Sequence, residues 1–162
     1  MTRRRKTGWV IAAVVLTLAA HFGGLRFNYS RSMPRGLYWL TDRNFTVGDL
    51  VAYELPAFDL AVERGYTPGV ILKRVVAGAG DTVSINRRGV FVSGQLLPHS
   101  VPRDADGAGR LLPRIELDGD RLRAGDVLLL GDTDKSYDSR YFGIVPARRI
   151  VARAIPLWLF DD

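Results

Sequence analysis

"GVILKRVVAGAG", residues 69–80, sets a lysine and an arginine inside a run of Val, Ile, Leu and Ala that closes on glycines. Read as a strand, its side chains alternate sides, so Ile71, Lys73, Val75 and Ala77 share one face and Leu72, Arg74 and Val76 the other. A lysine between apolar neighbours in a central strand is unusual, because buried lysine is rare unless it is paired or used. Two readings stay open at this point. In one, Lys73 snorkels its ammonium to solvent over an apolar stem. In the other it is desolvated and its pKa falls. An unperturbed lysine is neutral in about one molecule in 2,500 at pH 7 and cannot act as a base, whereas a pKa of roughly 7–8 makes it competent.

The rest of the chain repeats the same kind of element. "GLYWL", "DLVAYEL", "DTVSIN", "GVFVSG", "DVLLLGD" and "RIVARAIPLWLF" read as short strands punctuated by turn residues, with no convincing helical period longer than two turns. The fold class expected is mainly β. "NRRG" (86–89) and "VSGQ" (92–95) read as tight hairpin turns. Residues 99–125, rich in Pro, Asp, Gly and Arg, are expected to leave the main sheet, and 57–68, "AFDLAVERGYTP", form a second insertion. No internal repeat is visible.

Composition narrows the function. The 162 residues suit one domain with an appendage, and 47% hydrophobic with 25% charged residues are those of a folded chain. The net charge of +6 is partly concentrated in "MTRRRK", which makes nucleic-acid binding a weak reading. Cysteine is absent, so thiolate metal sites and cysteine nucleophiles are excluded, and no metal or nucleotide motif appears. From Thr7 to Leu25 no residue is charged. About 19 such residues nearly cover a bilayer core of roughly 30 Å, so the run is expected to be a spanning anchor. A cleaved secretory signal, with a shorter apolar core ending near Ala19 and Ala20, is the alternative. Arg3, Arg4, Arg5 and Lys6 keep the N-terminus cytoplasmic by the positive-inside rule. Residues 1–26 are thus expected to be basic tail and anchor, and 27–162 an exported β domain.

Ser32, in "NYSRSMPRGLYWL" (28–40), follows the anchor within about six residues, at most roughly 20 Å of chain. A serine needs a base to become a nucleophile. His21 lies in the apolar segment and His99 in a Pro-flanked loop that reads as ordinary surface, so a Ser-His-Asp triad is disfavoured. The three lysines are Lys6, Lys73 and Lys135, of which Lys6 is across the membrane and Lys135 in the most solvated part of a loop. A third cluster, "LLLGDTDKSYDSRYFG" (128–143), opens an apolar strand into a polar loop in which Asp132, Asp138 and Arg140 can form ion pairs and Ser136 can orient an amine.

Taken together these blocks resemble the type I signal peptidases, membrane-anchored serine proteases with a Ser-Lys dyad on an antiparallel, barrel-like β scaffold. "SRSMPRG" is similar to their Ser-x-Ser-Met-x-Pro motif, "VGDLVAY" to the following Gly-Asp strand, "LKRVVAGAGD" to the lysine motif and "GDTDKSYDSRYFG" to the closing motif, all in order. The resemblance implies Ser32 as nucleophile and Lys73 as general base. It implies Ser30 as an oxyanion donor with the Ser32 N–H, Ser136 as the residue that positions the amine, and Asp138 with Arg140 as a supporting ion pair, Asp138 ranking first among these as a direct contributor. Arg74 and Asp132 look like a second structural pair. Pro34 stands directly after Met33, where the general enzymes place one residue between. The Ser-Met-Pro-x-Gly-Leu-Tyr form and "AVERGYTPG" look like the conjugative-transfer, TraF-like branch.

What that implies is a single-pass protein of the bacterial inner membrane with a periplasmic catalytic domain. It would process a conjugative pilin precursor, or another signal-peptide-bearing substrate, beside the lipid, by hydrolysis or by joining the pilin's ends, with no cofactor. A general signal peptidase and a noncatalytic anchored β domain of a secretion complex are the competing readings. A self-cleaving repressor protease shares the dyad but carries a DNA-binding helical domain where this chain has a spanning segment.

Overall fold

The computed structural model describes residues 8–11, 14, 24–56 and 69–160. Most of the anchor expected over 7–25, and the whole insertion at 57–68, lie outside these residues. Among the described residues no helix is long and apolar enough to cross a membrane.

The described chain is mainly β and entirely antiparallel. A large sheet takes β2 (Gly36–Leu40), β3 (Leu50–Leu55), β4 (Gly69–Ala77), β9 (Asp126–Leu130), β10 (Val145–Pro146) and β11 (Ile150–Leu159), with β1 (Leu25–Asn28) at its edge, in the order β1-β2-β11-β3-β4-β9-β10. A smaller sheet holds β5 (Thr82–Asn86), β6 (Gly89–Val92), β7 (Gln95–Leu96) and β8 (Leu117–Arg121), in the order β7-β6-β5-β8. Both hairpins read from sequence are present, with Asn86 opposite Gly89 and Val92 opposite Gln95. The 99–125 excursion does leave the main sheet, but it contributes β8 to the smaller one. "LDGDR" gave no sign of this, since its residues after Leu117 are exposed on both faces.

The two sheets meet along β9, whose successive side chains feed different cores. Val127 and Leu129 pack with Val51, Tyr53, Leu55, Val75 and Ile150, while Leu128 and Leu130 pack with Val83, Ile85 and Val90 of the smaller sheet. Burial on both faces is why "DVLLL" is an unbroken apolar run instead of an alternating one. A third cluster, Met33, Tyr38, Ala52, Leu72, Ala152 and Ala154, lies under the loop between β1 and β2.

Leu25 and Arg26, expected at the end of the anchor unit, pair with Trp39 and Tyr38 in a β1–β2 ladder. The same ladder makes residues 29–35 the link of an antiparallel pair. Ala77, placed on the face of Lys73, lies on the other side: the register shifts between Val75 and Ala77, and Ala77 joins the core of Leu128 and Leu130. A bulge inserts one residue and inverts the alternation beyond it. Gly36 is required by close approach, since a Cβ there would collide with the Trp158 carbonyl of β11.

β4 also has an open edge. It pairs with β3 over its length from Leu55↔Gly69 to Leu50↔Arg74, but with β9 only from Arg74 onward. Val75 exchanges backbone bonds with Gly48 and Asp49 on the β3 side. By alternation the N–H and C=O groups of Val70 and Leu72 point away from β3, where no strand lies among the described residues. Arg26 Nη2 donates to one of them, the Val70 carbonyl, at 2.7 Å.

Candidate active site

The nucleophile loop is built around Asn28. This residue is buried, and its side-chain amide donates to the carbonyls of Ser30, Met33 and Pro34 at 3.1, 3.1 and 2.9 Å, while its Oδ1 accepts from the Ser30 N–H at 3.1 Å. An Asx side chain bonded two residues on is a local turn former. Here the amide also gathers three carbonyls of the loop onto one side chain. Met33 plugs that core beneath, and Tyr38 donates its hydroxyl to the Pro34 carbonyl at 2.7 Å. Of the neighbouring aromatics, Tyr38 is fully buried and Trp39 reaches the surface.

Ser32, held half-buried at the apex, faces Lys73 of β4. Lys73 Nζ lies 3.0 Å from Ser32 Oγ, and Ser30 Oγ lies 2.9 Å from the same atom. The Ser32 N–H donates to Ser30 Oγ at 3.2 Å. With a neutral amine the donors run in one direction: Ser30 gives its proton to Ser32, and Ser32 gives its own to Lys73. Lys73 is 2% exposed, which excludes the snorkelling alternative. Burial lowers its pKa from 10.5 to about 8, with the Arg140 cation pushing the same way and the Asp138 and Asp132 carboxylates opposing. About one amine in ten is then neutral at pH 7.

The closing loop holds these groups from the other side. The Asp132 N–H donates to the Ser32 carbonyl at 2.8 Å, and its carboxylate takes a two-pronged bond from Arg74 at 3.0 and 2.8 Å. Gly131 has no room for a side chain, because a Cβ there would collide with Ser136 Oγ and sit 2.7 Å from the Ser32 carbonyl. Asp138 and Arg140 are fully buried. Asp138 accepts from the Gly131 N–H and from Nε and Nη2 of Arg140, each at 2.8 Å. The remaining Arg140 donors reach the carbonyls of His99, Thr133, Asp134 and Ser136. His99 is thus at the surface, as read, but lends its carbonyl to this hub.

The five residues named from sequence do not all have the relations expected of them. Ser32, Lys73 and Ser30 form one hydrogen-bonded cluster. Asp138, expected to contribute directly, touches neither reacting atom; it is a positioning residue that fixes Arg140 and Gly131 and acts on Lys73 only through its charge. Ser136 lines the same cleft of about 390 Å³ as Ser32 and Lys73, but among the described residues its buried hydroxyl makes no hydrogen bond, to the amine or to any other group. Asn28 was quoted in the sequence and assigned nothing; its signal was an Asn two residues before Ser30.

A family model described as "Signal peptidase, peptidase S26" matches residues 6–159. The chain belongs to the signal peptidase family, peptidase S26. Within curated relatives of this peptidase, "Plasmid transfer protein TraF" of Escherichia coli is 39% identical over 158 residues, covering 90% of this chain and 89% of that one. "Probable conjugal transfer protein TraF" of Sinorhizobium fredii is 37% identical over 176 residues, covering 95% and 92%. The chain is similar to this TraF-like branch over most of its length. A solved signal peptidase I from Enterococcus faecalis matches at a TM-score of 0.42 and 17% identity, covering 70% of this chain and 98% of that one.

For this signal-peptidase-family chain the lysine dictates a pH profile. If the neutral amine is the reactive form, kcat/KM rises roughly tenfold per pH unit on the acid side and levels off above a pKa of about 8. The sign for stability follows from the same shift. The folded state releases the proton near 8 and the unfolded chain near 10.5, so folding is favoured progressively as pH rises between those values. Initial rates and urea midpoints from pH 6 to 10 check both; a kcat/KM independent of pH across 7–9 would remove Lys73 as the base.

Proposed function

We propose that this serine peptidase is a membrane-anchored endopeptidase of a conjugation apparatus that processes a pilin precursor through a Ser32–Lys73 dyad. The observation that carries the reading is the 3.0 Å approach of a buried, deprotonatable amine to the Ser32 hydroxyl. In acylation Lys73 takes the Ser32 proton, Ser32 Oγ bonds to the scissile carbonyl carbon, and the C–N bond breaks. The proton then passes from Lys73 to the departing amine. Ser30 and the Ser32 N–H are placed to stabilise the oxyanion once the Ser30 hydroxyl turns towards it; one such donor is typically worth about 10²–10³ in rate. The acyl-enzyme is released by water or by an amine.

Two further features support a substrate lying at a membrane. The free edge of β4 at Val70 and Leu72 suits an extended peptide added as a strand beside Ser32. Phe27, Tyr29, Trp158 and Phe160 form an exposed set of stacked and edge-to-face rings, and β1 begins where the apolar N-terminal run ends. Such rings suit a headgroup interface, with the apolar run that precedes β1 retained as an anchor in the inner membrane and the catalytic domain periplasmic. The TraF names of the relatives bring the conjugative role to this chain.

Coexpression with the pilin precursor of the same transfer system, followed by mass spectrometry of the pilin, tests the reading. The expected result is a trimmed pilin; a mass one water below the trimmed linear peptide assigns joining of its ends, and the linear mass assigns hydrolysis. An untouched precursor in the presence of correctly folded enzyme overturns the proposal.

A further inference from the structure

The register of β4 decides where a substrate chain can run. Along Val70 and Leu72 no strand lies against the edge among the described residues, only the Arg26 guanidinium on the Val70 carbonyl, but from Arg74 onward it is taken by β9. A peptide laid against that edge therefore cannot continue past Lys73 as a strand. It has to rise over the loop that starts at Gly131.

A second cavity of about 190 Å³ opens there. It shares Lys135, Ser136 and Tyr137 with the dyad cleft, and its other walls include Arg103, Asp106 and Tyr141. The Tyr137 and Tyr141 rings stack at 5.5 Å, and the Tyr141 hydroxyl accepts the Arg103 backbone N–H at 3.0 Å, which ties the excursion to the closing loop. The cavity's charges are unbalanced. Asp106 is committed, since its carboxylate accepts from Arg110 Nε at 2.7 Å and from the N–H groups of Ala108 and Arg110. Among the described residues the side chains of Arg103 and Lys135 make no hydrogen bond or ion pair. Among the described residues the Ser136 hydroxyl, packed against Gly131, is buried without a partner.

We propose that this cavity receives the segment that departs when the scissile bond breaks, and that it selects a carboxylate on that segment. The inference rests on the peptidase reading above. Two unpaired cations, in a wall whose one acid is already neutralised, recognise an anion. A carboxylate close behind the scissile bond is the anion a peptide can supply, from an acidic side chain or from its own C-terminus. The same cations repel an incoming ammonium, so the cavity belongs to the departing segment and not to an attacking amine.

The test uses the full chain in detergent and three peptides spanning the junction identified in the processed pilin. All share the acyl side. The first has a neutral departing segment with a free C-terminus, the second the same segment amidated, and the third an amidated segment carrying one aspartate. A carboxylate-bearing peptide is expected to exceed the amidated neutral one by about three- to tenfold in kcat/KM, through KM, the range of a partly screened ion pair. Whichever of the two gains identifies the carboxylate as chain end or side chain. Lys135→Gln and Arg103→Gln are each expected to erase that advantage, and Arg103→Gln, which lies outside the dyad cleft, to cleave the amidated neutral peptide at the unaltered rate, which also shows that it is folded. Equal rates for all three peptides, or an advantage that survives both substitutions, overturns the subsite while leaving the peptidase reading intact. Failure of the unaltered enzyme to cleave any of the three overturns the peptidase reading and the subsite with it.

Discussion

Ser32→Ala and Lys73→Ala are each expected to lower cleavage of the precursor by about 10⁴- to 10⁶-fold, with the double variant no worse than either single one, because nucleophile and base act as a unit. Lys73→Arg is expected to be equally inactive: a guanidinium keeps its proton at any working pH. Lys73→Met is the more informative variant. The apolar stem is retained and the buried charge removed. At pH 7 the unaltered protein holds a protonated amine whose pKa has been pushed from 10.5 to about 8 by burial. That shift corresponds to about 3 kcal/mol of disfavoured charge, so Lys73→Met should be inactive yet more stable, by up to about that amount. Urea unfolding at pH 7 with a parallel cleavage assay reads both quantities. An inactive variant that is also less stable would mean that Lys73 serves the scaffold, and full activity in Ser32→Ala would end the dyad.

Arg140→Ala or Asp138→Ala is expected to cost about 3–5 kcal/mol of stability, the range for breaking a buried pair by removing one partner. Both side chains are fully buried, and Arg140 gathers the carbonyls of Thr133, Asp134 and Ser136 in the closing loop and of His99 in the excursion. Loss of either partner leaves an unpaired charge in a dry place and frees Gly131, whose N–H bonds to Asp138 and which packs against the Ser32 carbonyl. The double variant Asp138→Leu/Arg140→Met removes both charges and should recover much of the stability. It should not recover activity, because the carbonyls that Arg140 gathered remain untethered. Arg74→Ala is the control: its pair with Asp132 is about one-third exposed at each end and should cost only about 0–1 kcal/mol. Equal losses for Arg74→Ala and Arg140→Ala would refute the distinction drawn from burial.

Much of the site could be read without coordinates because its parts violate local rules. A lysine in an apolar strand, a serine beside a Met-Pro pair and a loop dense in Asp, Ser and Arg all stand out against their surroundings. Roles were harder to read than identities. Asp138 was expected to pair with Arg140, as it does, but its expected direct contribution is not matched by any contact with Ser32 or Lys73. Ser136 was given the amine, and among the described residues its hydroxyl has no partner. Whether a loop hydroxyl reaches a distant strand depends on how the loop is folded over, which neighbouring residues do not settle. Asn28 passed unnoticed for a similar reason, since its three carbonyl partners exist only once the chain has turned.

The alternation of apolar residues and the turn chemistry of "NRRG" and "VSGQ" determined the strands and hairpins, because these depend on neighbours two to four residues apart. Composition narrowed the candidate nucleophile and base to serine and lysine, because the chain offers no cysteine and no well-placed histidine. The bulge that carries Ala77 to the opposite face, the pairing of β1 with β2, the open edge of β4 and the depth at which Lys73 is buried were decided by tertiary structure alone. Each depends on which strand lies alongside. A pKa of about 8 measures how much water the rest of the fold excludes, and that is a property of packing, which no local stretch of residues contains.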